Sequence, residues 1–156
     1  MDLAAPAVRS MQASGLQYRI VQTEVPSGPK ESAVLQGIEL GQLLRTIVVR
    51  RGEDDYVFVL VPGGRQIDWP KLRAVLGVRR LSLPDEREAK EVTGYDRGAI
   101  TPFGSTRAWP VVADAAIAAG GTVAIGAGAR GANFHVDAAA LLDLLGAQVA
   151  DVTKPG

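Results

Sequence analysis

Apolar and polar positions follow two different periods along this chain, and glycine or proline marks most of the switches between them. Residues 43–49, Leu-Leu-Arg-Thr-Ile-Val-Val, are nearly all apolar and largely β-branched. That composition predicts a strand buried on both faces. Arg50-Arg51-Gly52-Glu53-Asp54-Asp55 is a polar turn, and residues 56–61 return as the second arm of a hairpin. Pro62-Gly63-Gly64 breaks that arm. Upstream, the Tyr18/Ile20 alternation gives a strand within residues 17–24. Downstream, residues 109–112, 121–125, 133–136 and 147–152 read as strands, with a short one expected at 79–83. Pro110 must sit at an edge or a bulge of its strand.

The helical segments are marked mainly by their caps. Pro29 opens a helix that runs to Gly37, with Ala33 and Val34 expected on its inner side. Asp68 caps residues 69–76 and Gly77 ends them. Ser82 and Asp85 have the spacing of a capping box, which predicts a helix over 84–93. Residues 114–119 form an Ala-rich helical turn. Asp137 caps a last helix through Leu145, closed by Gly146. Val8 and Met11 are three apart, which allows a short helix ending at Gly15. Residues 1–14 are therefore read as a flexible or short helical N-terminal extension, and residues 15–156 as a single domain. The order of elements predicts an α+β fold: a mixed sheet curled toward a barrel, with helices outside.

Composition narrows the function. A chain of 156 residues fits one domain. It buries roughly 68–70% of its unfolded surface and needs no covalent staples. There is no cysteine, which excludes disulfides, thiolate metal sites and a thiol nucleophile. Lys and Arg together number 17, as do Asp and Glu, so no global field steers the chain to nucleic acid. No apolar run is long enough to span a bilayer, and the N-terminus lacks a signal pattern. The expectation is a soluble, cytoplasmic protein without membrane contact.

Two glycine-rich loops stand out. The first is Gly94-Tyr95-Asp96-Arg97-Gly98-Ala99-Ile100-Thr101-Pro102-Phe103-Gly104, a shaped segment whose backbone N–H groups are suited to face a ligand. The second is Gly126-Ala127-Gly128-Ala129-Arg130-Gly131. It has the G-x-G-x-x-G spacing but leads into a strand-like segment rather than a helix, so a dinucleotide site is not expected. Arg45 shares a strand face with Ile47 and Val49. A cation there must pair, line a cavity or snorkel. His135 is the only histidine. No metal site is expected, and His135 is read as a sheet-surface residue. The pairs Asp54/Asp55 and Asp85/Glu86 suit solvated or capping roles. Arg50/Arg51, Lys71/Arg73 and Arg79/Arg80 are candidates for an RNA-facing patch or simply solvated surface.

Taken together, these blocks resemble the YbaK/EbsC family, free-standing relatives of the editing domain of bacterial prolyl-tRNA synthetase. The resemblance rests on the residue 60–68 segment Leu-Val-Pro-Gly-Gly-Arg-Gln-Ile-Asp, on Val92-Thr93-Gly94-Tyr95, on the G-x-x-x-P element of residues 98–102, and on Ala127-Gly128-Ala129-Arg130-Gly131. It extends over residues 18–152. It implies an aminoacyl-tRNA deacylase that hydrolyses a mischarged small amino acid, such as alanine or cysteine, from tRNA, and it implies no cofactor or metal. The implied partners are the aminoacylated 3′ end of a tRNA, tRNA(Pro) in the first instance, and prolyl-tRNA synthetase. Arg45 and Gly98 would be the catalytic positions. Tyr18, Thr46, Ala99, Ile100, Thr101, Pro102, Gly126, Gly128, Arg130, Gly131, Ala132 and Asn133 would bind substrate.

The chain departs from the family at three places. Arg45 replaces a lysine that holds the aminoacyl end; arginine keeps the charge but is bulkier and planar. Thr23 and Glu24 occupy the region where relatives commonly carry a histidine after the first strand. Ala132 stands where some relatives that edit alanine have a histidine. These departures leave an alternative open, a diverged non-catalytic member that binds an aminoacyl-adenosine-like ligand without cleaving it.

Overall fold

The structure is a computed structural model and describes residues 5–156. Residues 1–4 of the expected N-terminal extension lie outside the described residues. Helix α1 (Pro6–Ser14) carries proline at its start and ends at Gly15, and its Ala7, Val8 and Met11 pack into the main core. Strand β1 (Arg19–Gln22) leads to helix α2 (Pro29–Gln36). Strands β2 (Leu44–Gly52) and β3 (Asp55–Pro62) form the expected hairpin. Strand β4 (Arg65–Ile67), helix α3 (Trp69–Leu76) and helix α4 (Glu86–Thr93) follow. The remainder is β5 (Val111–Asp114), β6 (Thr122–Gly126), β7 (Ala132–Asp137), α5 (Ala138–Leu145), β8 (Gln148–Ala150) and β9 (Thr153–Pro155).

Three sheets result. One is antiparallel, in the order β1-β7-β6; the largest is mixed, β2-β3-β5-β8; the third pairs β4 with β9. A single parallel bridge between Leu43 and Ala124 joins the first two. The whole is the expected α+β arrangement with helices outside, but the one curled sheet of the expectation is divided into three and no closed barrel forms among the described residues.

Alternation along β3 divides the interior. Tyr56, Phe58 and Leu60 enter the main core, with Phe134, Ile125 and α1. Val57, Val59 and Val61 enter a second core under α3, with Leu72, Ile67 and Val152. Burial on both faces thus belongs to β3, where Tyr56 through Pro62 are all buried. It was expected of residues 43–49, yet Arg45, Thr46 and Ile47 of β2 are only half-buried. Beyond the bridge at Leu43, nothing among the described residues pairs with the outer side of β2 at these three residues, and the chain opens there into a cavity.

Other expectations shift for local reasons. Val34 is not on the inner face of α2 but 78% exposed; Ser32, Ala33 and Gln36 are buried instead. The short strand expected at 79–83 shrinks to one bridge, Ser82 with Arg50. Helix α4 begins two residues late because Asp85, not Ser82, caps it, accepting from the Glu88 N–H. Asp68 and Asp137 cap α3 and α5 as predicted, at Lys71 and Ala140 respectively.

Candidate functional site

The open side of β2 is one wall of a cavity of about 570 Å³. The opposite wall is made by the two glycine loops, through Arg97, Gly98, Ala99 and Ile100 from the first and Gly126 and Ala129 to Asn133 from the second. The start of α2 and the approach to α4 complete the lining with Pro26, Gly28, Ser32, Leu83 and Pro84.

The loops are locked to each other. Arg130 Nη2 donates to the Arg97 carbonyl at 3.0 Å. Its guanidinium lies over Gly98, which has φ +89°, and a Cβ added there would lie 3.2 Å from Arg130 Nε. Glycine is needed both for the left-handed backbone and for this approach. The second loop is held from behind as well: a Cβ on Gly128, φ +88°, would meet the Tyr95 ring at 2.9 Å. The Tyr95 hydroxyl donates to the Phe103 carbonyl at 2.5 Å, and burial pushes its phenol pKa up.

Within the first loop the Ala99 N–H is used by the Asp96 carbonyl at 2.9 Å. Of the loop residues that line the cavity, Arg97, Gly98 and Ile100 have N–H groups without a hydrogen-bond partner among the described residues. These are donors that a ligand in the cavity can satisfy.

Arg45 reaches the cavity wall, but one end of it is committed. Its Nη2 donates to the Arg65 carbonyl of β4 at 2.6 Å. Its Nε is buried without a partner, as is Thr46 Oγ1. Among the described residues neither Arg45 nor Arg130 has a carboxylate within ion-pair distance, whereas Arg97 lies 3.8 Å from Glu86. The lining therefore holds three arginines and no Asp, Glu, His or Cys. Such a surface attracts a negatively charged or carbonyl-bearing ligand. It contains no side-chain base, and its chemistry must come from positioning and from fixed dipoles.

Ten of the fourteen residues singled out from the sequence line this cavity: Arg45, Thr46, Gly98, Ala99, Ile100, Gly126, Arg130, Gly131, Ala132 and Asn133. The other four are elsewhere. Tyr18 packs edge-on against Phe134, ring centres 5.6 Å apart. Thr101 is fully buried, its hydroxyl accepting from the Phe103 N–H. Pro102 is half-buried outside the lining. Gly128 faces a separate hollow of about 380 Å³ behind the second loop, beside Gln22 and Tyr95.

The sequence missed the contribution of α2. Ser32 is 7% exposed and lines the cavity. Its Oγ accepts from Gln36 Nε2 at 2.9 Å, and Gln36 Oε1 lies 2.9 Å from His135 Nε2. His135 is thus a buried residue under α2 rather than a surface one, and burial, then the nearby Arg19 charge, lowers its pKa. A helix with Ser and Gln four apart on its buried side was the available signal.

Comparison with known proteins agrees with this geometry. The profile of the family described as "Aminoacyl-tRNA editing domain" matches residues 25–144. EbsC of Enterococcus faecalis, a proposed Cys-tRNA(Pro)/Cys-tRNA(Cys) deacylase, is 25% identical over 137 residues, which are 88% of this chain and 84% of that protein. Proline–tRNA ligase of Stenotrophomonas maltophilia is 31% identical over 136 residues; the match takes in 85% of this chain and only 23% of the ligase. A crystal structure of a proposed trans-editing enzyme for prolyl tRNA synthetase superposes with a TM-score of 0.84 at 27% identity, covering 96% of this chain and 98% of the other.

Proposed function

The chain belongs to the aminoacyl-tRNA editing domain family, and from that premise we propose that its cavity takes the aminoacylated 3′ end of a tRNA and hydrolyses the ester of a mischarged small amino acid. The observation that carries this is the lining: three arginines, no carboxylate, and unpartnered N–H groups, those of Gly98 and Ile100 among them, on one tight loop. The related ligase makes tRNA(Pro) the first substrate to try. Residues 15–156 act as one domain, with α1 packed into its main core, and the setting is the cytoplasm, where charged tRNA is found. Among the described residues no helix is long and apolar enough to cross a membrane.

In the reaction, a water oxygen adds to the ester carbonyl carbon. The carbonyl oxygen becomes an oxyanion, which accepts from the Gly98 and Ile100 N–H groups; donors of this kind are each worth roughly 3–4 kcal/mol. The bond from the carbonyl carbon to the terminal ribose oxygen then breaks. That oxygen takes up the proton the attacking water gives up, and the products are the free amino acid and a tRNA with its hydroxyl restored. Arg45, which lines the cavity and is held at one end by the Arg65 carbonyl, lends its charge to the ligand's binding.

The test is release of amino acid from alanyl-, cysteinyl- and seryl-tRNA(Pro) with protein in excess. The natural protein accelerates release from at least one. Arg45→Ala lowers that rate by about tenfold or more, and Arg45→Lys keeps most of it. No acceleration on any of the three overturns the reading and leaves the non-cleaving binder.

A further inference from the structure

Ser32, Gln36 and His135 form a buried hydrogen-bonded chain that ends at the cavity. The three are 7%, 8% and 6% exposed. Gln36 presents its oxygen to His135 Nε2 and its nitrogen to Ser32 Oγ. An amide oxygen accepts only, so His135 must carry its proton on Nε2. Ser32 Oγ, in turn, accepts from Gln36, and its own proton has no acceptor among the described residues. The chain therefore leaves one uncommitted O–H donor on a residue that lines the cavity.

We propose that Ser32 is a specificity-determining residue that donates to a side-chain hydroxyl of the bound aminoacyl group, so that the site prefers seryl to alanyl esters. This rests on the cavity taking an aminoacyl ester, as above. Other parts of such a ligand are less suitable partners. The α-ammonium has no lone pair to offer. The carbonyl is assigned to the first glycine loop. The ribose enters past the rim, where Val25 and Leu83 are 61% and 57% exposed, whereas Ser32 is enclosed. The deepest part of the ligand is the amino acid side chain. A methyl group there leaves the buried hydroxyl unpaired, and sites built to hydrogen-bond a substrate hydroxyl discriminate strongly against analogues that lack it.

The experiment is a binding titration with two probes, 3′-amide-linked seryl-adenosine and alanyl-adenosine, which resist hydrolysis. The natural protein binds the seryl probe about tenfold more tightly, the effect of one hydrogen bond. Ser32→Ala removes the preference by weakening seryl binding alone, and Ser32→Thr, which keeps the hydroxyl, restores it. Equal binding of the two probes, an equal loss of both in Ser32→Ala, or no binding of either overturns the proposal. Seryl preference in binding without release from any charged tRNA would sink the hydrolytic reading and leave this one standing. Imidazole ¹⁵N shifts give a second check: Nε2-protonated His135 is expected. A proton on Nδ1 would reverse Gln36, consume the Ser32 proton and overturn the orientation.

Discussion

On one side the cavity presents backbone, and on the other it presents side chains. The loop wall, residues 97–100 and 126–131, offers N–H groups and owes its shape to glycine. Its lock is a single arginine-to-carbonyl bond, Arg130 to Arg97. The opposite wall offers Arg45 and Ser32. These are fixed by partners far away in the chain: Arg45 by Arg65, 20 residues on, and Ser32 through Gln36 by His135, 99 residues beyond Gln36. The first wall is suited to a group common to every aminoacyl ester, the carbonyl. On the second, Ser32 is suited to what differs among ligands, while Arg45 adds its charge to the chemistry. Chemistry and selectivity are thereby separable, and mutations on the two walls should fail differently.

The largest effect is expected at Gly98. Gly98→Val puts a β-branched residue at φ +89° beneath the Arg130 guanidinium. The left-handed backbone alone costs about 1–2 kcal/mol, and displacing the loop removes the oxyanion donors. Deacylation should fall by about 100-fold or more on every substrate, with the thermal midpoint lowered only moderately. A change in which substrate is preferred would mean that the walls are not separable.

A smaller loss is expected for Arg130→Ala. It removes the lock but leaves the loop backbone unstrained, so the rate should drop by about tenfold while circular dichroism and melting stay close to the natural protein. Arg130→Lys, unable to reproduce the planar contact over Gly98, should resemble Arg130→Ala.

The smallest effect is a slope. His135 has its pKa lowered by burial and by Arg19. Below about pH 6.5, the unfolded-state value, the unfolded chain binds a proton that the folded chain resists. Stability should therefore fall as pH drops from about 7 toward the lowered folded value, and level off below it. Melting of the natural protein against His135→Gln across that range checks this. An identical pH dependence in the two would place the sensitivity elsewhere.

The same contrast governs what the sequence disclosed. The loop wall was legible because its signals are local: glycine at Gly98 and Gly126, and an arginine beside Gly131. Helix ends at Asp68, Gly77, Asp137 and Gly146 were legible for the same reason. The α2 wall was not, because Ser32 and Gln36 are recognisable as buried only once His135 is placed beneath them. An apolar-period reading chose Val34 instead. The pairing of β4 with β9, Arg65 to Pro155, is hidden by the same distance in sequence. Tyr18 and Thr101 were drawn toward the site by resemblance, yet Phe134 and the Phe103 N–H hold them in the interior.

The most direct measurement of the central claim is the single-turnover rate of amino acid release from charged tRNA(Pro), natural protein against Gly98→Val. The account predicts clear acceleration by the natural protein and a return to the spontaneous rate in the variant. Equal rates for the two folded proteins, whether both fast or both spontaneous, would contradict it.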